Sequence, residues 1–182
     1  MRLSMLAAAV LTALILITPA PAFAQQHRVP DLAEQRAAMA RIAGMVGDWQ
    51  GEANVTFPVQ RLVHQSEHIE SAMGGLLLVI RGTGYATADR TGAPIFNAFG
   101  VISYDDARDL YEFRVYNDGR AATATARFLD DGRLQWTMDF SPVIIRYTIA
   151  LNGDTWRETG EMSRDAGATW TPTIEMALRR IP

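Results

Sequence analysis

From Gly47 to the C-terminus, apolar and polar residues alternate with a period of two, broken at regular intervals by turn residues. Alternation of this kind puts every second side chain on one face of a half-buried β-strand. Trp49, Gly51, Ala53, Val55 and Phe57 share one face, and Gln50, Glu52, Asn54 and Thr56 share the other. Further strands are read at Arg61 to Ser71, Leu76 to Tyr85, Ile95 to Tyr104, Leu110 to Tyr116 and Ala121 to Leu129. Arg133 to Phe140, Val143 to Leu151, Thr155 to Ser163 and Trp170 to Ile181 complete the series. About ten strands at a spacing of roughly 8 to 12 residues fit an all-β sandwich or barrel. Asn117-Asp118-Gly119, Asp130-Asp131-Gly132 and Asn152-Gly153-Asp154 supply residues that tolerate positive φ between the runs. Consecutive strands should therefore be antiparallel neighbours in an up-and-down meander, and closing it removes both unpaired edges. The predicted fold is an antiparallel barrel of about ten strands whose concave interior is the natural ligand site.

Ahead of the first strand the period is longer. Leu32, Arg36, Met39, Ile42 and Ala43 follow a helical spacing, Pro30 can open the helix, and Gly44 lies near its end. One amphipathic helix of three to four turns is expected between Pro30 and Met45. Further upstream, Arg2, the apolar run Leu6 to Ile17 and Ala22-Phe23-Ala24 form an export signal with a small-x-small cleavage site. Its apolar run is shorter than the roughly 20 residues of a spanning helix. The expected division is a signal peptide at 1–24, an N-terminal segment with the helix at 25–45, and the barrel at 46–182. Cleavage after Ala24 would leave 158 of the 182 residues, enough for one domain with a real core. The protein would then work in a bacterial periplasm or outside the cell, with no membrane span after cleavage.

Composition removes several chemistries. The chain has no cysteine, so disulfides, thiolate metal sites and thiol nucleophiles are excluded. All seventeen basic residues are arginine, which excludes Schiff-base chemistry, a P-loop lysine and a lysine base. A net charge of −3 argues against nucleic acid and anionic membrane surfaces as partners.

Gly47-Asp48-Trp49, opening the first strand behind a short helix, resembles the Gly-x-Trp element of lipocalins. That resemblance implies an indole plugging the closed end of the barrel and an arginine from the last strand packed over it. Arg180 shares the parity of Ile174, Met176 and Leu178 and is the expected partner. Trp49-Gln50-Gly51-Glu52, Gly74-Gly75, Gly100 to Tyr104-Asp105 and Arg179-Arg180 together resemble a bacterial family of uncharacterised lipocalin-like domains. The likeness covers nearly the whole chain behind the signal and implies shape rather than activity. The nitrobindin-like haem barrels share the Gly-x-Trp-x-Gly opening, and the likeness implies a haem-binding histidine near the C-terminus. Here the histidines are His27, His64 and His68, so haem would need Tyr147 or His64 instead. No cofactor is expected.

Two strings imitate known motifs. His64-Gln65-Ser66-Glu67-His68 spells H-x-x-E-H, but a zinc-peptidase site needs both histidines one helical turn apart. On a strand, residues four apart are separated by about 13 Å, so the reading is two polar residues on a sheet face or rim, and no metal is expected. Ser163-Arg164-Asp165-Ala166-Gly167-Ala168-Thr169-Trp170 resembles the Asp-box of sialidases and related propellers. A propeller needs several copies, so one copy marks a well-specified hairpin with Ser and Asp holding the turn and Trp packed beneath.

Parity from Trp49 sends Phe96, Gly100, Ile102 and Tyr104 inward, then Tyr111, Phe113 and Val115, and then Leu134, Trp136, Met138 and Phe140. Ile145, Tyr147, Ile149 and Leu151 follow, then Trp156, Glu158, Gly160 and Met162. Glu158 is the one interior carboxylate on this reading, with Tyr104 and Tyr147 as hydroxyl partners and Arg180 as an ion-pair partner. The expected ligand wall is Tyr104, Phe113, Trp136, Met138, Tyr147, Trp156 and Glu158, and the structural set is Gly47, Trp49 and Arg180. No nucleophile elbow, phosphate loop or paired carboxylates on one face is visible, so no catalytic residue is assigned. The expected function is non-catalytic binding of a small hydrophobic or amphipathic molecule. The alternatives are an isomerase or cyclase using an interior Glu or Tyr, and a packed barrel that binds a protein partner on its outer surface. Gly51, Ala53, Gly100 and Gly160 favour a cavity, whereas Trp136, Phe140 and Trp156 favour a filled core.

Overall fold

The structure, a computed structural model, describes residues 29–182, so the segment read as an export signal and His27 lie outside the described residues. Strands β1 (Gly47–Val55), β2 (Arg61–Ala72), β3 (Leu77–Tyr85), β4 (Phe96–Asp105) and β5 (Leu110–Asn117) follow one another as antiparallel neighbours. The meander continues through β6 (Arg120–Phe128), β7 (Leu134–Phe140), β8 (Val143–Asn152), β9 (Thr155–Ser163) and β10 (Thr171–Ile181). β10 pairs back onto β1, closing a ten-stranded antiparallel barrel with no free edge. The hairpins carry the chemistry their sequences announce. Asp118 and Gly119 both take positive φ in the two-residue loop between β5 and β6, the backbone of a tight hairpin turn.

The N-terminal helix differs from expectation. It runs only from Leu32 to Ala40 as α1, and a separate 3₁₀ turn follows at Ala43–Met45. Asp31, rather than Pro30, starts it: the Asp31 carboxylate accepts from the amides of Ala33 and Glu34 at 3.0 Å each. The break at Ile42 lets Met39, Ile42 and Met45 all reach the core although they no longer share one helical stripe. α1 covers one end of the barrel. The Tyr111 hydroxyl donates to the Ala38 carbonyl at 2.7 Å, and the Arg41 guanidinium lies over the Phe128 ring at 4.1 Å. Among the described residues no helix is long and apolar enough to cross a membrane.

Beneath this cover sits the plug. Trp49 is fully buried, donates its indole N–H to the Met45 carbonyl at 2.8 Å and meets Trp156 edge to face at 5.7 Å. The Arg180 guanidinium lies 4.1 Å over the Trp49 ring. It also donates to the carbonyls of Gly44, at 2.8 Å, and Val46, and to Asp154 at 3.0 Å. Gly47 makes this possible in two ways. Its φ of +132° suits only glycine, and a Cβ there would occupy the position of the Arg180 guanidinium. The resemblance-based roles of Gly47, Trp49 and Arg180 are thus one interlocking device, and Arg180 is taken up by it, so the expected ion pair with Glu158 does not form.

The β9–β10 hairpin is built as its string implies. Ser163 Oγ donates to Asp165 at 2.7 Å and accepts from the Gly167 amide at 2.8 Å, and Asp165 accepts from the Thr169 amide at 2.8 Å and hydroxyl at 2.6 Å. Those bonds from Thr169 and Ser163 hold the Asp165 carboxyl down at about 2. Trp170 packs under Arg146, 3.6 Å from the ring centroid, and closes the turn with a bond to the Gly167 carbonyl at 3.1 Å.

Candidate functional site

Inside the barrel lies a cavity of about 820 Å³, running from Met45 beside the plug to Arg61, Asn117, Arg120 and Phe140 at the opposite end. Its size falls within the range of small-molecule sites. Of the expected wall, Phe113, Trp136, Met138, Tyr147, Trp156 and Glu158 all line it. Tyr104 does not. It faces inward, as its parity requires, but in the layer under α1, where it packs against Tyr111 at 5.1 Å and bonds to Asp109 through its hydroxyl. Asp109 keeps that hydroxyl protonated, pushing it up to about 12. Alternation fixes which face a residue occupies and says nothing about its height along the barrel axis, so Tyr104 is corrected from cavity wall to closed end.

The small residues also behave differently from expectation. At Gly100 a Cβ would collide with the Phe113 ring, and at Gly160 it would lie 2.7 Å from the Tyr147 ring. At Gly51 the β10 backbone fills the space. These glycines seat aromatic rings and a neighbouring strand; they do not themselves leave room. Of the four, Ala53 and Gly100 border the cavity.

The aromatic wall is ordered by contact. Trp136 stacks on Tyr147 with centroids 4.1 Å apart and planes 11° from parallel, and Phe113 meets Trp136 edge to face at 5.1 Å. β7 and β8 set this up, because Trp136 and Tyr147 are directly paired in register. The Trp136 indole then donates to Glu158 at 3.1 Å, which gives Glu158 an indole partner in place of the expected Tyr104, Tyr147 or Arg180.

Glu158 is not the lone interior acid. β2 turns Val63, Gln65, Glu67 and Ile69 inward, and Gln65 and Glu67 line the same cavity. Gln65 Nε2 donates to Glu67 at 2.7 Å. Across the ladder Glu67 pairs with Gly82, whose missing side chain gives the carboxylate its seat: a Cβ there would lie 2.8 Å from both Glu67 oxygens. Burial pushes Glu67 up to about 7, the Gln65 bond opposes the rise and the Glu158 charge adds to it. Burial likewise pushes Glu158 up to about 7, against the opposing indole N–H groups of Trp136 and Trp156. Tyr147 is pushed up to about 12 by burial and by Glu158. The absence of paired interior carboxylates expected from the sequence is therefore overturned.

The two histidines of the H-x-x-E-H string on β2 point the other way. His64 and His68 leave the barrel on its outer face, where His64 lies 3.5 Å from Glu52 and His68 2.6 Å from Asp48. Both pairings follow from the β1–β2 register, which sets Glu52 opposite His64 and Asp48 opposite His68. Among the described residues no three His, Asp or Glu side chains converge as a metal site would need. Two carboxyl groups poised near neutrality in an aromatic cavity can hold a polar ligand group or carry a proton. No family model matches the chain, and no curated protein matches it in sequence.

Proposed function

We propose that this protein is an exported lipocalin-like barrel that binds a small amphipathic molecule in its interior without transforming it. One observation carries the reading: a cavity of about 820 Å³ walled by aromatic and aliphatic side chains, with Gln65, Glu67 and Glu158 placed within it. Apolar walls hold the ligand body by burial, and a few fixed polar groups set its orientation. The export signal read at residues 1–24 supports a role outside the cytoplasm.

A second reading is favoured by the same acids. Two carboxyls near 7 match the requirement for general acid–base work at neutral pH. Carriage is preferred because neither acid is hydrogen-bonded to a nucleophile or backed by an oxyanion-type donor set. Native mass spectrometry of the protein purified from its own cells, compared with the denatured mass, tests this. A reproducible added mass that leaves on denaturation, unaltered after prolonged incubation, is expected. A chemically converted ligand would favour the enzyme. A bare protein mass would shift the weight to a partner on the outer surface.

A further inference from the structure

The polar groups of the cavity are unevenly matched. Glu67 receives a hydrogen bond from Gln65 at 2.7 Å, and Glu158 receives one from Trp136 at 3.1 Å with the Trp156 indole N–H close by. An ionised carboxylate can accept about four, so most of this acceptor capacity is unused. Among the described residues no arginine pairs with either acid, and the two basic residues of the cavity wall, Arg61 and Arg120, are exposed at its far end. Beside Glu158, the indole N–H of buried Trp156 makes no hydrogen bond of normal length, though it lies close enough to favour the ionised carboxylate.

Resting on the reading that the interior is a ligand site, we infer that it selects an apolar amine: a hydrocarbon or aromatic body bearing one protonated nitrogen seated between Glu67 and Glu158. An ammonium brings N–H donors to a site with surplus acceptors and positive charge to a site with surplus acid. Its attraction to a carboxylate is stronger in this low-dielectric interior than in water. The Trp136–Tyr147 stack and Phe113 supply an apolar wall for the body of the molecule. A fatty acid would instead set a third negative group beside two acids.

Binding should depend on pH. Among the described residues the titratable groups facing the cavity are Glu67 from β2, Glu158 from β9 and Tyr147 from β8, with Arg61 and Arg120 at the rim. The acids ionise near 7, while an alkylammonium, like lysine at about 10.4, stays charged. Amine affinity should rise from pH 6 to pH 8, and that of an alcohol should not.

Octylamine, 1-octanol and octanoate, titrated calorimetrically at pH 8, separate the outcomes. Octylamine is expected to bind at least tenfold more tightly than 1-octanol, with octanoate weakest. In E67Q/E158Q the preference of octylamine over 1-octanol should vanish. E67Q and E158Q singly should each cut the preference at least threefold, which keeps the test readable if the double variant does not fold. Octanol or octanoate binding as well as the amine, or a preference that survives both substitutions, would overturn the inference and leave the cavity reading standing. Failure of all three to bind would overturn that reading and this inference with it.

Discussion

Replacing Trp49 with alanine is expected to cost about 3–5 kcal/mol of stability, the range for a large buried aromatic. Trp49 is fully buried, and its loss does more than open a void. The Met45 carbonyl loses its donor, Trp156 loses its edge-to-face partner, and the Arg180 guanidinium loses the ring beneath it. Each of those groups belongs to the closed end, so the cost should not relax away. Trp49→Phe keeps a ring and loses the N–H, so a smaller cost is expected, about 1–3 kcal/mol from the unsatisfied carbonyl. Urea unfolding followed by far-ultraviolet dichroism measures both. A cost below about 1 kcal/mol for alanine would mean that the plug is not what holds this end shut.

Stability is expected to fall as pH rises from about 5 to 8. Glu67 and Glu158 titrate near 7 in the folded barrel and near the ordinary value of 4.5 once unfolded. Between those values the native state holds protons that the unfolded state has released, so folding is favoured at the acid end of the window and the advantage is gone above 7. A displacement from 4.5 to about 7 corresponds to on the order of 3 kcal/mol for each acid if it titrates alone. The E67Q/E158Q variant cannot ionise at these positions, so its stability should be nearly flat across the window and should exceed the native protein's at pH 8. Paired urea titrations at pH 5 and pH 8 check this. A native protein more stable at pH 8, with the variant showing the same trend, would place both acids in contact with water or a cation.

The strands were readable because burial on one side imposes a period of two, and the hairpin residues mark where it restarts. Arg180 could be found by parity because its strand alternates cleanly as far as Leu178. Glu67 could not, because β2 is mixed on both faces: Gln65 and Glu67 point inward while Leu62 lies exposed. Pairing would have revealed it. Val55 opposes Arg61, and counting along the ladder brings Trp49, an inward residue, opposite Glu67. Alternation within one strand carries no such register. The same limit explains Tyr104, whose face is right and whose height is not, and the interior glycines, whose missing side chains are filled by rings from other strands.

The central claim is that the interior, and not the outer surface, takes the ligand. A fluorescent naphthylamine probe titrated into the native protein and into A98F/A122F tests it most directly, since Ala98 and Ala122 both border the cavity and phenylalanine rings there would obstruct it. Saturable one-to-one binding to the native barrel, weakened by at least tenfold in an obstructed variant that remains folded, is the expected result. Equal binding to both proteins, or none to the native barrel, would contradict the claim.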